Sequence, residues 1–509
     1  MRIVNIMNFV RQIDERFMGS TDVLYETTKR ELALINEFGL KATFLLQYDA
    51  LCDERFVSLF RDNASESIEL GIWYEIVEPL TTACDMPYRS ERGWKWDWHI
   101  VPGFSMAYEP SERERLLDEA MRKFKELFGQ YPRSFASWVI DTHTLNYLCE
   151  HYDIDYVGIC RDQTSTDAYT LVGGYFNGAY YPSKYNMFTP AQTEENQQSV
   201  PVFRLLGPCP VHNYDNTKYM SDSMAEAMKK QCFTLEPFWK TGSTPAYVDW
   251  FFHTYFDNED LGFSYAQLGQ ENSFGRWDFL PALRMQLQKL CGLKHVTVET
   301  TAETGARFKR TFDRTPPTAI VADNSWDKEA DVQSVYYDSK YYTANLFRYG
   351  RTVLLRSLYL FNELVKDRYL CEPCTSFDAV YENLPLVDTL SPSFDSKEKC
   401  GLVLCDSADR FTVQKDGQGR LSAVWEGGSI TFDEAFLTVS APVLRFYTGA
   451  SACVITPEAH ALSYQYRGVS YTLLAENADV QEKGDHILIL PHNGTCRLIP
   501  QCHPYGELA

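Results

Sequence analysis

The stretch Ser134–Leu145, SFASWVIDTHTL, decides how the rest of the chain is read. Phe135, Trp138, Val139 and Ile140 form a short apolar strand pattern, Asp141, Thr142, His143 and Thr144 follow at once, and Leu145, Leu148 and Tyr152 open a helical pattern. A carboxylate and an imidazole therefore leave the C-terminal end of a strand together. In folds that alternate strands with helices, the loops that bind ligands converge at that end. Asp and Thr also cap helices at such junctions, so alone Asp141 reads as a cap or as a catalyst, and its meaning depends on its neighbours.

Working outward, the same alternation repeats. Ile3 to Val10 reads as a first strand and Thr21 to Phe38 as a helix closed by Gly39. ATFLLQY (42–48) reads as a second strand running into Asp49, and IELGIWYEI (68–76) as a third carrying Trp73 and Glu75 near its exit. A long loop with Trp94, Trp96, Asp97, Trp98 and His99 follows; loops of this length in compact domains are usually functional or disordered, and three indoles argue against disorder. Beyond the Asp141 stretch come a strand at 156–160 leading to Asp162, a Tyr- and Gly-rich loop at 164–198, a strand at 200–206 carrying Arg204, and helices broken at Pro237, Gly242 and Pro245. GFSYAQLGQ (262–270) is a seventh strand that ends in Glu271 and Asn272, and 295–300 reads as an eighth or an edge. This order predicts a parallel (β/α)7-type barrel over residues 1–316.

After Pro317 the period changes. Residues 338–369 read as helical, giving an expected helical segment over 317–395 packed on the barrel, and short β-rich runs from Gly401 onward predict a β-sandwich over 396–509.

Composition narrows the function classes. The 509 residues carry a net charge of −21 without a basic tract, which argues against nucleic acid and anionic membrane as partners. No run of 18 apolar residues spans a bilayer, and the short apolar start MRIVNIMNFV reads as a strand rather than a leader peptide. The 14 cysteines sit in strand and helix patterns like reduced thiols, so the expected location is cytoplasmic. Cys371 and Cys374 form a lone CxxC without a second pair at zinc-site spacing. No metal and no cofactor is expected, and the oligomeric state is left open.

The polar residues at predicted strand exits are Asp49, Glu75, Asp141, His143, Asp162, Arg204 and Glu271, with Asp97 and His99 on the aromatic loop. Two opposed carboxylates among aromatic rings suit glycosidic bond cleavage: one protonates the leaving oxygen, the other attacks the anomeric carbon or activates water. Asp141 is the expected nucleophile and Glu271 the expected acid/base of a retaining mechanism. Glu75 is the rival to Glu271, or else an ion-pair partner of Arg11 or Arg16 inside the barrel mouth. Asp49, Trp73, Trp96, Asp97, Trp98, His99, Trp138, His143, Asp162, Arg204 and Asn272 are the expected sugar-binding residues, since rings match the C–H faces of sugars.

TFLLQYDAL (43–51), GIWYEIVEPL (71–80), SWVIDTHTL (137–145) and QENSFGRW (270–277) resemble motifs of the glycoside hydrolase/deacetylase β/α-barrel group over roughly residues 1 to 310, most similar to a divergent lineage of glycoside hydrolase family 57. The resemblance implies a carbohydrate-active hydrolase, with a metal-dependent carbohydrate deacetylase or a non-catalytic sugar-binding barrel as alternatives. There are departures. Asn5-Ile6-Met7-Asn8 stands where family 57 has His-x-His, and the types of the two catalytic acids are exchanged. The paired Asp and His-x-x-x-His of the deacetylases and the His-x-Asp of the mannosidase branch are missing, and Asp97, His99 and Asp141 match no metal-ligand spacing.

Overall fold

The computed structural model describes residues 1–17, 21–162, 169–212, 233–258, 261–328, 331–388, 400–416, 418–448 and 451–502. Its N-terminal part is built on strands β1 (Arg2–Val10), β2 (Ala42–Leu46), β3 (Ile68–Trp73), β4 (Ser134–Ala136) and β5 (Tyr156–Ile159). The short strands β6 (Tyr169–Thr170), β7 (Ala179–Tyr180) and β8 (Val202–Arg204) follow, then β9 (Ser264–Leu268) and β10 (Thr297–Glu299). Seven of them run parallel in the order β9-β1-β2-β3-β4-β5-β8, with β10 pairing the start of β1 and β7 lying antiparallel on β8.

The sheet curls into a nearly closed barrel. Among the described residues no backbone ladder joins β8 to β9, and side chains cross the gap instead. Leu206 N–H donates to Gln267 Oε1 at 2.8 Å, and the hydroxyls of Tyr156 and Tyr265 meet at 2.8 Å.

Side chains of alternate residues fill the barrel in layers, as a strand's period of two requires. At the bottom, Thr43 and Ser134 donate to Glu69, beside the N-terminus of the helix Thr301–Thr311. Higher up, Phe9 stacks on Trp73 at 4.1 Å and the ring of Trp138 meets both edge-on at 5.0 Å. Two residues on from Phe9, at the mouth, comes Arg11.

The expected helical segment is a correction: residues 338–369 contain the strands Tyr342–Tyr349 and Thr352–Leu360, turning at Gly350 with φ +57°. Both faces of these strands are largely buried, so the apolar residues do not alternate and mimic the thick apolar face of a helix. The ladder continues across the expected boundary at 396, pairing Val353 with Cys405 and Leu354 with Val403. The chain beyond Thr318 forms two large antiparallel sheets sharing one apolar core. The eighth strand shrinks to β10, and the third ends at Trp73, three residues early. Of the helices expected over 220–260, Pro245–Phe252 is present, extended by a π turn over His253–Asp257, and 213–232 lies outside the described residues. All described cysteines are free thiols. No helix among the described residues is long and apolar enough to cross a membrane.

Candidate active site at the barrel mouth

Two strand exits meet at the centre of the site. β9 leaves through Gly269, whose φ of +110° brings the chain so close to β1 that a Cβ would fall 2.0 Å from the Met7 carbonyl oxygen. Glu271 then faces Arg11, with Arg11 Nη2 at 2.8 Å from Glu271 Oε2. Asn272 registers the two strands: Arg11 N–H donates to its Oδ1 at 3.1 Å, and its Nδ2 donates to Arg11 O at 2.8 Å and Thr28 Oγ1 at 3.1 Å. Asn272 is fully buried, with its amide engaged in this clamp.

Glu75, beyond β3, is the second carboxylate. Its Oε2 lies 3.8 Å from the same Arg11 Nη2 and accepts a hydrogen bond from Trp96 Nε1. Oε2 of Glu75 and Oε2 of Glu271 are therefore no farther apart than the 2.8 and 3.8 Å distances laid end to end. Burial pushes the Glu75 carboxyl above the ordinary glutamate value, against the pull of Arg11 and the Trp96 N–H.

Arg16 completes the cluster, with Nη2 at 3.1 Å from Glu271 Oε1 and 2.7 Å from Asp14 Oδ2. Burial raises the Asp14 carboxyl, but Arg16 and Arg11 outweigh it and leave the group below its ordinary value. The guanidiniums of Arg11 and Arg16 lie 4.3 and 4.6 Å from the ring of Trp96.

Several buried polar atoms here make no hydrogen bond: Nε and Nη1 of Arg11, the whole amide of Gln47, Oε1 of Glu75 and both oxygens of Glu31. Buried polar groups are normally satisfied, so each unsatisfied one calls for a reason. Burial, then the charge of Glu271, drives the Glu31 carboxyl well above its ordinary value. Glu236 is pushed up to about 7 by burial; it accepts from Trp239 Nε1 at 2.7 Å and from Gln270 Nε2 at 3.2 Å.

Asp141, expected to pair with Glu271, has its hydrogen-bond partners outside this group. Its side chain is fully buried and takes four hydrogen bonds: from Arg113 Nη1 at 2.7 Å, Ser105 Oγ at 2.6 Å, Thr144 N–H at 2.9 Å and Thr144 Oγ1 at 2.7 Å. Burial raises its carboxyl and Arg113 with these donors more than reverses that, so it is held below the ordinary value. It caps the helix Thr142–His151 and anchors the helix Pro110–Phe128, outside the barrel.

The other expected residues divide similarly. His143 pairs with Glu114 at 3.0 Å on the outer helices. Asp97 is bound by Arg92, Ser90 and His99, and Trp98 lies against Arg92 at 4.0 Å and His99 at 5.4 Å, so these side chains brace the aromatic loop. Asp162 accepts from Arg204 and from Gly173 N–H, and Arg204 also donates to Cys160 O and Tyr175 O. Asp49 accepts from the backbone of Gln12, Ile13 and Ala50, fastening the turn after β1, with burial pushing its carboxyl up to about 6. Trp73, Trp96 and Trp138 do lie at the mouth, Trp96 as a hydrogen-bond donor to Glu75 and the other two as its aromatic floor.

Sequence reading placed Arg11 and Arg16 only as ion-pair partners of Glu75 and passed over Gln47, Glu31 and Glu236. Strand parity is the signal for two of them: Arg11 continues the interior series after Phe9, and Gln47 continues Thr43 and Leu45. Glu31 carried none, because an acid within a helix ordinarily marks its solvent face.

A divalent metal, which the deacetylase branch of the resembled group requires, does not fit. Among the described residues no three His, Cys, Asp or Glu side chains are grouped to hold one. The position between Glu75 and Glu271 is taken by the permanent charge of Arg11.

No protein-family model and no curated protein matches the chain. Among solved structures, the chain is similar to a Parabacteroides distasonis protein provisionally named a glycoside hydrolase/deacetylase, at 15% identity, over 75% of this chain and 90% of that one, with a TM-score of 0.56. A novel α-amylase from Thermotoga maritima matches at 11% identity over 64% of this chain and 78% of that one, with a TM-score of 0.33. A family 4 carbohydrate esterase from Streptomyces lividans matches at 9% identity over 60% and 94%, with a TM-score of 0.26. The last two scores carry no argument, and the first shows a shared fold.

Proposed function

We propose that the protein is a glycoside hydrolase in which Glu75 is the general acid and Glu271 the nucleophile or general base. The observation that carries this reading is the pair of buried carboxylates sharing one nitrogen of Arg11 above the floor of Phe9, Trp73 and Trp138. Unpartnered donors and acceptors occur side by side around that pair, and a sugar hydroxyl both donates and accepts. The aromatic floor offers the apolar surface that a sugar's C–H face needs. The bound that Arg11 sets on the distance between the two Oε2 atoms admits the roughly 5–5.5 Å of a retaining pair.

The roles follow from the surroundings. Burial raises the Glu75 carboxyl above its ordinary value, the direction that suits a general acid. Arg11 and Arg16 both pair with Glu271, the group that attacks or deprotonates. The glycosidic oxygen takes the proton of Glu75 as its bond to the anomeric carbon breaks, while Glu271 meets the positive charge developing on that carbon.

The test is a panel of aryl glycosides and oligosaccharides presented to the wild-type protein and to Glu75→Gln and Glu271→Gln, with and without a chelator. The reading expects turnover that survives chelation and falls in both variants. Turnover that a chelator abolishes, or release of acetate from acetylated sugars in place of sugar release, would replace it with the deacetylase alternative. Binding of sugars without cleavage of any would leave a non-catalytic barrel.

A further inference from the structure

The two oxygens of Glu75 have different surroundings. Oε2 accepts the Trp96 indole N–H and faces Arg11 Nη2, whereas Oε1 is buried and has no hydrogen bond. A neutral carboxyl places its carbonyl oxygen where donors and positive charge are, and its hydroxyl on the other oxygen. Trp96 is unusually well held in the position that makes this distinction. Its ring lies against the guanidiniums of Arg11 and Arg16. Its backbone N–H and that of Lys95 donate to Glu15 Oε2 at 3.2 and 2.6 Å. The next residue, Asp97, is tied to Arg92, Ser90 and His99. The indole N–H therefore has one direction available to it. Trp73 is the other indole that bears on this carboxyl: its N–H pulls the Glu75 value down as that of Trp96 does, without reaching regular hydrogen-bond geometry.

We infer that Trp96 is a positioning residue that assigns the acid proton of Glu75 to Oε1, so that Oε1 is the atom that donates. In the reaction of the preceding subsection, on which this inference rests, the Oε1–H bond breaks and the proton passes to the glycosidic oxygen. The electrons of the broken C–O bond go to that same oxygen, and Glu75 is left with its charge directed toward Oε2, Trp96 and Arg11.

The direct test needs no substrate. In infrared difference spectra, the carbonyl stretch of protonated Glu75 is the band that disappears in Glu75→Gln. Trp96→Phe keeps a smaller ring for the two guanidiniums and removes the N–H together with the fused pyrrole ring. The inference expects the Glu75 band to move to higher wavenumber in Trp96→Phe, because its carbonyl oxygen loses a donor. Its titration midpoint should rise by about 0.5–1 pH unit, because the lost hydrogen bond favoured the ionised form. An unmoved band would show that the indole does not hold the carbonyl oxygen and would overturn the inference. Should Trp96→Phe fail to fold, replacing Trp96 with 3-benzothienylalanine removes the same N–H with almost no change of shape and carries the same expectations.

On a cleaved sugar, phenyl and 2,4-dinitrophenyl glycosides provide the kinetic arm. Trp96→Phe should slow the phenyl glycoside by roughly 10–100-fold and the dinitrophenyl glycoside, whose leaving group needs no proton, by less than about 3-fold. Equal losses on both would reject the inference. Full phenyl glycoside turnover in Glu75→Gln would instead reject the acid assignment beneath it.

Discussion

Two carboxylates, each a few residues beyond a barrel strand, sit in opposite circumstances. Asp141, after β4, is fully buried with four donors on its two oxygens, and its charge is matched by Arg113. Glu75, after β3, is as deeply buried, yet one of its oxygens has no hydrogen bond and burial raises its carboxyl above the ordinary value. Position at a strand exit is common to both and therefore does not separate a cap from a catalyst. What separates them is satisfaction: a carboxylate whose lone pairs are all used has nothing left to offer a substrate, and one with an open oxygen beside a second carboxylate does.

The largest effect that would break this contrast is catalytic. On a cleaved glycoside, Glu75→Gln and Glu271→Gln should each lower kcat by roughly 10²–10⁴-fold, the range proton transfer by a positioned group supplies. Asp141→Asn in correctly folded protein should change it by less than about 10-fold, since Asp141 acts on the helices and not on the substrate. Comparable losses at Asp141 and at Glu271 would return Asp141 to the catalytic pair.

The same contrast predicts a reversed ranking in stability. Asp141→Ala leaves the guanidinium of Arg113 buried without its partner, and breaking a buried ion pair on one side costs about 3–5 kcal/mol. Glu75→Gln, at a site already lacking a hydrogen bond, should cost less than about 1 kcal/mol or be neutral. Urea denaturation of the two variants at pH 7 checks the order, and Arg113→Met combined with Asp141→Ala should recover part of the loss.

Much of the fold was legible because parallel strands followed by helices leave a regular record of apolar runs and polar exits. The order of β1 to β5, the exit residues Glu75 and Glu271, and the Trp-rich loop were all readable from it. The strands Tyr342–Tyr349 and Thr352–Leu360 were not, because burial on both faces erases the alternation that marks a strand. The partners of the site residues were hidden for a different reason. Whether Asp141 is satisfied depends on Arg113, 28 residues earlier on a helix whose inward face cannot be inferred from β4 itself. The meeting of Arg11 with Glu271 depends on β1 and β9 being neighbours, a closure that joins residues 261 positions apart at the Asn272 clamp.

Buried carboxyls with raised values give a smaller, pH-dependent effect. Asp338, on the strand Val332–Asp338, accepts from Phe176 N–H at 2.8 Å, and burial pushes it from 3.8 to about 7. The unfolded chain releases this proton near its ordinary value and the folded chain holds it to about 7, so between those values the folded state binds more protons. Stability contributed by this group is full below about pH 4 and is lost as pH rises toward 7. Asp49 and Asp367, raised by burial to about 6, act in the same direction over a narrower window. Asp338→Asn keeps an acceptor for Phe176 N–H and removes the titration. It should raise the unfolding free energy at pH 8 by on the order of 1 kcal/mol and have a smaller effect at pH 5. An equal change at both values would mean that Asp338 does not carry the proton.

The smallest effect concerns His143, whose place beside Asp141 first drew attention to this strand exit. Its Nε2 lies 3.0 Å from Glu114 Oε1, between side chains 23% and 36% exposed, on the paired helices that Asp141 ties together. Water and salt screen such a pair, and exposed ion pairs contribute about 0–1 kcal/mol. His143→Ala should therefore shift stability by less than about 1 kcal/mol, and by a smaller amount in 0.5 M salt. Its turnover and pH profile should match the wild type, because no hydrogen bond of His143 reaches the Arg11 cluster. A shifted pH profile in His143→Ala would tie the outer shell to the mouth and undo the separation between the two carboxylates, even with every other variant behaving as expected.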